Sequence, residues 1–208
     1  MLSDTAGLEG LCVAVDACYL GSGGARAAMV GSPDQRFTSV VAERVVLVPE
    51  VEPYRPGEFY QRELPAIRAV LNCARDPGGQ AEPGEIALIV VDGYVDLDPG
   101  GRPGLGAHVH AAFGVPVIGV AKSAFATATH AIPVLRGGSM RPLFITAAGL
   151  PATDAARIVS EMAGEFRLPD ALRQVDALAR GSRDPGSPAG SGRPRRAATR
   201  QARLTDRA

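Results

Sequence analysis

The chain has 208 residues, 46% of them apolar, and its 22 basic and 22 acidic residues cancel to zero net charge. That length supports one sizeable core and one domain with a tail. No apolar run approaches the roughly 18 residues that span a bilayer, and the N-terminus MLSDTAGLEG has acids where a signal peptide has a basic segment. The expectation is a monomeric cytoplasmic protein.

Residues 11 to 20 read as a first buried strand, Leu11 to Leu20, with Asp16 in its middle. The turn Gly21-Ser-Gly-Gly24 follows. Because GSGGAR lacks the third glycine of GxGxxG and the GK[ST] of a phosphate loop, it reads as a hairpin turn. Ala25 to Gly31 and residues 37 to 48 then complete a three-stranded meander. From Gly57 to Arg75 the pattern turns helical, with Tyr60, Leu64, Ile67 and Leu71 on one stripe, and Pro65 either belongs to the first turn or kinks the helix. Glu63 lies beside that stripe, where a carboxylate is partly desolvated unless a cation meets it.

Ile86 to Val91 is a second buried strand, ending in Asp92-Gly93, which is a turn on one reading and a site on the other. A helix near 104 to 113 separates it from the strand Pro116 to Ala121, which runs into Lys122. Buried strands separated by a helix imply a parallel, right-handed crossover. His108 and His110, two apart on that helix, point to different faces and make a poor joint metal site. A strand at 142 to 146 leads to a helix at 153 to 163 with Thr153 as its N-cap, and Pro169 opens a last helix to about Arg180. The architecture expected is α/β: an antiparallel meander followed by parallel βαβ units, flanked by helices.

The charges are unevenly spread. Residues 181 to 208 carry seven Arg and two Asp, so this tail is +5 and the body −5. Rich in Gly, Pro and Ser, residues 181 to 208 read as a disordered Arg-rich tail after a domain of residues 1 to 180. It is either a loose anchor for an anionic polymer or a solvated tail of no consequence. Cys12, Cys18 and Cys73 form no CxxC pair and read as small buried hydrophobes.

Lys122 is the one lysine among those 22 basic residues, a sign that its ammonium is needed. Asp16 and Asp92 sit on apolar strands and Glu63 at the edge of an apolar stripe, and charges in such places are rare without partners. Three converging acids suit an oxygen-preferring Mg²⁺ or Mn²⁺, which could activate water against a phosphodiester, with Lys122 stabilising developing negative charge or orienting that water.

Four blocks in this chain resemble those of the endonuclease V nucleases. Val13-Ala-Val-Asp16-Ala-Cys-Tyr19 is similar to the family's first strand. Pro53-Tyr-Arg-Pro-Gly57 through Arg62-Glu63-Leu-Pro-Ala66 matches its most specific block. Val91-Asp92-Gly93, with Pro99, and Gly119-Val-Ala-Lys122 match the third and fourth, and Phe166-Arg-Leu-Pro-Asp170 resembles the family's ending. The resemblance covers roughly residues 10 to 180. It implies a ribonuclease H-like fold, with Asp16, Glu63 and Asp92 as catalytic and metal-holding acids and Lys122 as the catalytic cation. It also implies that Tyr54 is a wedge entering the duplex, with Gly57 and Gly93 near a flipped hypoxanthine. The implied activity is a DNA-repair cut 3′ to deoxyinosine, or on inosine in RNA. The chain departs from the family where roughly twenty residues are missing between Lys122 and Val134 and where Tyr94, Asp98 and Leu150 replace histidines, replacements expected to weaken the inosine preference or shift it to another lesion. The alternatives are a nuclease of the same fold with another substrate, a non-catalytic nucleic-acid-binding relative and, more distantly, a nucleotide-binding oxidoreductase.

Overall fold

The computed structural model describes residues 10–21, 23–51, 59–75 and 85–182. Tyr54, Gly57 and the Arg-rich tail beyond Ser182 lie outside them. Among the described residues seven strands form one sheet: β1 (Leu11–Tyr19), β2 (Ala25–Ser32), β3 (Ala42–Val48), β4 (Ile86–Asp92), β5 (Val117–Ala121), β6 (Ile132–Val134) and β7 (Leu143–Ala148), in the order β3-β2-β1-β4-β5-β7-β6. The meander β1–β2–β3 is antiparallel and the centre β1–β4–β5 parallel. β7 and the three-residue β6, which is too short for any periodicity to announce, add an antiparallel edge.

Four helices among the described residues cover both faces: α1 (Phe59–Arg75), α2 (Leu105–Phe113), α3 (Ala152–Glu161) and α4 (Asp170–Arg180). Because successive strand residues face opposite ways, β1 divides itself between two cores. Cys12 and Ala14 pack in the cluster that includes Ile158 and Val159 of α3 and Leu172 and Val175 of α4. Val13 and Val15 pack in the other, with Ile67 and Leu71 of α1 and Val109 of α2. The result is a three-layer sandwich whose central strands are apolar on both sides.

Several local expectations are corrected. The strand expected from residue 37 begins only at Ala42, because Asp34 gathers the backbone N–H groups of Arg36 and Thr38 and the Thr38 hydroxyl into a turn. Phe37 there takes a left-handed φ of 53° with its side chain buried. Thr153 does not cap α3: the N-cap is Pro151, whose carbonyl accepts the N–H groups of Asp154 and Ala155. Pro65 lies inside α1, well past its first turn. Of the cysteines only Cys12 is buried, and Cys73 is exposed.

Candidate active site

The parallel register sets the site. Val15 pairs with Val91, so the next residues along, Asp16 and Asp92, stand side by side on neighbouring strands. Asp92 in turn pairs with Val120, two residues before Lys122. The Lys122 ammonium donates to Asp92 Oδ2 at 2.5 Å, both side chains remaining partly exposed. Glu63 enters from α1. All four border one cavity of about 400 Å³ at the ends of β1, β4 and β5, the place where α/β sheets receive ligands.

The electrostatics of this cavity are unfavourable as they stand. Burial, then the neighbouring Asp92 carboxylate, pushes the Asp16 carboxyl up to about 7, although the Ala17 N–H donates to it. Burial, then Asp16 and Asp92, pushes Glu63 up to about 8. The cluster therefore holds more negative charge than Lys122 balances. Among the described residues, no three His, Cys, Asp or Glu side chains are already gathered as a ligand set. Asp16, Glu63 and Asp92 share a cavity without yet converging on one point.

Gly93 lies in a second cavity of about 230 Å³, beside the first and joined to it through Glu63 and Asp92, with Tyr60, Tyr94, Leu97 and Leu105 among its walls. At a φ of 136°, Gly93 occupies backbone space that few side-chain-bearing residues adopt, so the Asp92-Gly93 pair is both a turn and part of the site. Gly119 is needed for a different reason. A Cβ there would lie 2.7 Å from the Gly93 carbonyl oxygen and 2.8 Å from the Val95 nitrogen, so only glycine lets the turn fold over β5.

Of the three positions that replace family histidines, Tyr94 lines the smaller cavity, and its hydroxyl is committed: it donates to the Ser123 carbonyl at 2.8 Å and accepts the Phe125 N–H at 3.1 Å. Asp98 accepts the N–H groups of Gly100 and Arg102 and pairs with the Arg102 guanidinium at 3.3 Å, which makes it a loop staple. Leu150 packs against the α3/α4 core. His108 stacks on Tyr60 with ring centroids 3.6 Å apart, while His110 bonds the Val115 carbonyl, so the two rings serve different neighbours.

The residues match the Endonuclease V family model over 2–149. The chain belongs to the Endonuclease V family. It is therefore an endonuclease with a ribonuclease H-like fold. It is 31% identical over 192 residues to the endonuclease V of Azotobacter vinelandii, covering 82% of each chain. It superposes on the crystal structure of the Streptomyces avermitilis endonuclease V with a TM-score of 0.68 at 29% identity, covering 84% of this chain and 82% of that one. The Ciona intestinalis endonuclease V, solved in complex with a 24mer DNA containing an inosine followed by a ribo-adenosine, shares the fold at a TM-score of 0.68 and 17% identity, over 83% of this chain and 85% of that one.

Three residues to which sequence reasoning gave no role, Arg167 of the family-like ending among them, also lie at the endonuclease's candidate site. Asp176 and Arg180 of α4 border the acid cavity as an ion pair, the Arg180 guanidinium lying 3.0 Å from Asp176 Oδ1. Their i,i+4 spacing could have flagged the pair, but nothing in the sequence placed α4 over β1. Arg167 donates to the Lys122 carbonyl, to Pro142 at 2.8 Å and to Arg141 at 2.9 Å, anchoring the backbone that carries the lysine. Among the described residues, no helix is long and apolar enough to cross a membrane.

Proposed function

We propose that this endonuclease hydrolyses a phosphodiester bond 3′ to a deaminated purine, deoxyinosine in DNA, with Asp16, Glu63 and Asp92 holding Mg²⁺ or Mn²⁺. The observation that carries the reading is the meeting of these three acids and Lys122 in one cavity of an Endonuclease V chain. The donor set fits such an ion: carboxylate oxygens, two of them raised by burial and mutual repulsion, suit a hard cation better than a soft one. When bound, the ion supplies Lewis acidity and an activated water.

The chain's own groups do the rest. Lys122, held by Asp92, places a fixed positive charge beside the phosphate, where it stabilises the charge that develops as the bond breaks. The smaller cavity next to the acids is walled by Tyr60, Tyr94, Leu97 and Leu105, and this mostly apolar recess suits a base turned out of its stack. Gly93 leaves room for it, and the family resemblance assigns the wedge to Tyr54 and a place near the base to Gly57, both outside the described residues. The Ciona protein's complex with inosine-containing DNA supports the substrate class. Because the Tyr94 hydroxyl is already engaged at Ser123 and Phe125, Tyr94 offers a base its ring and not the free hydrogen-bonding group that a histidine there would bring, so selectivity for inosine should be weaker than is usual for the family.

The test is incubation with Mg²⁺, and separately with Mn²⁺, of matched oligonucleotides, DNA and RNA, with and without one inosine, followed by mapping of the cut. Faster cutting of the inosine DNA at one position on its 3′ side is expected. Cutting confined to RNA would reassign the substrate, and no cutting with either ion would remove the catalytic assignment.

A further inference from the structure

Beside the acid cavity, the loop after Lys122 carries a half-exposed aromatic in a fixed setting. Phe125 retains 43% of its surface although two neighbours flank its ring. Tyr94, which lines the smaller cavity, has its ring centroid 6.1 Å away at an angle of 47°, and the Arg102 guanidinium lies 5.8 Å from the Phe125 centroid. The backbone is tied at each step. The Tyr94 hydroxyl bridges the Ser123 carbonyl and the Phe125 N–H. The Ala128 N–H closes a turn on the Phe125 carbonyl at 3.0 Å. Thr127 accepts from Arg102 at 3.0 Å and donates to the Leu97 carbonyl at 2.5 Å. An aromatic that only filled a gap would be covered; this one is held rigid with one side open to solvent.

From this juxtaposition we propose that Phe125, backed by Tyr94 and Arg102, is a stacking platform for a nucleobase of the bound strand near the scissile phosphate. The proposal rests on the reading of the substrate as nucleic acid. Distance supports it: the Cα atoms of Lys122 and Phe125 are at most about 11 Å apart, a few nucleotides at a rise of about 3.4 Å each, so one bound strand can meet both side chains. Every base offers a π-face, so the platform contributes affinity without reading sequence. The neighbouring guanidinium adds positive charge beside the strand.

The chain contains no tryptophan, so Phe125→Trp introduces a unique indole reporter. In an Asp92→Asn background, which prevents cutting, a fluorescently labelled single strand is titrated while its anisotropy and the indole emission are followed together. Loss of emission that tracks the anisotropy isotherm, and that is relieved by an abasic nucleotide at one position only, is the expected result. With Asp92 intact, Phe125→Ala and Phe125→Leu should raise KM for single-stranded substrate roughly five- to fiftyfold with kcat little changed, and Phe125→Tyr should retain the parent value. Saturable anisotropy with unchanged emission, or a parental KM in Phe125→Leu, overturns the platform and leaves the nuclease reading standing. Absence of any anisotropy change overturns the nucleic-acid reading and the platform with it.

Discussion

Among the described residues, Lys122 is paired with Asp92, and no ion pair to Asp16 or Glu63 accompanies it. Replacing either strand acid by its amide removes a ligand charge while relieving repulsion. Asp16→Asn and Asp92→Asn should therefore each reduce cleavage by well over the roughly hundredfold that loss of a supporting metal-site partner costs, with a melting temperature at or above the parent's. Near-normal cleavage at low Mg²⁺ in either variant would end the ligand assignment. Lys122→Arg keeps the charge but exchanges a compact ammonium for a planar fork at a site where the 2.5 Å contact leaves little room. A drop in kcat of at least about tenfold is expected, read by single-turnover cleavage, and parental turnover would show that the ammonium is dispensable.

At the scale of elements, the lysine depends on a segment far along the chain. Arg136, itself buried, donates to the carbonyls of Ser160, Phe166 and Gly164 and so shapes the turn between α3 and α4. That turn presents Arg167 to the carbonyls at Lys122, Arg141 and Pro142. Arg167→Ala should lower kcat severalfold with little effect on KM, and Arg167→Lys should not rescue it, because a point charge cannot address three carbonyls that a fork can. If Arg167→Ala, assayed well below its melting temperature, kept the parental kcat, Asp92 alone would hold Lys122 in place.

Over the whole molecule, the acid cluster links pH, cation and stability. Asp16 is raised from 3.8 to about 7 and Glu63 from 4.5 to about 8, each chiefly by burial. Between roughly pH 4 and pH 8 the folded state thus retains protons that the unfolded chain has lost. Stability is full below the unfolded values and is lost as pH rises through the folded ones. The cation-free protein should accordingly melt at a lower temperature at pH 8.5 than at pH 5.5, and added Mg²⁺ should raise Tm more at the higher pH, where the ligands ionise readily. Thermal denaturation of the parent beside Asp16→Asn checks this, since the amide should flatten the profile. An equal slope in both proteins would detach the effect from the cluster.

The chain by itself determined the layers and the identity of the charged residues. Val13, Val15, Ile89 and Val91 are apolar on strands buried on both faces, and a charge on such a strand stands out because burying it is costly; that is why Asp16, Asp92 and Lys122 were visible without a structure. Periodicity also gave α1 its stripe and Glu63 its place beside it. It could not show β6, which is three residues long, or the delayed start of β3, where the Asp34 turn overrides β propensity. Only the tertiary structure placed Asp176 and Arg180 over the acids, tied Arg167 to Lys122 across 45 residues, and turned Tyr94 and Asp98 into loop supports. Those contacts join segments whose local sequences carry no record of each other, and they arise only when burial of the two cores brings the segments together.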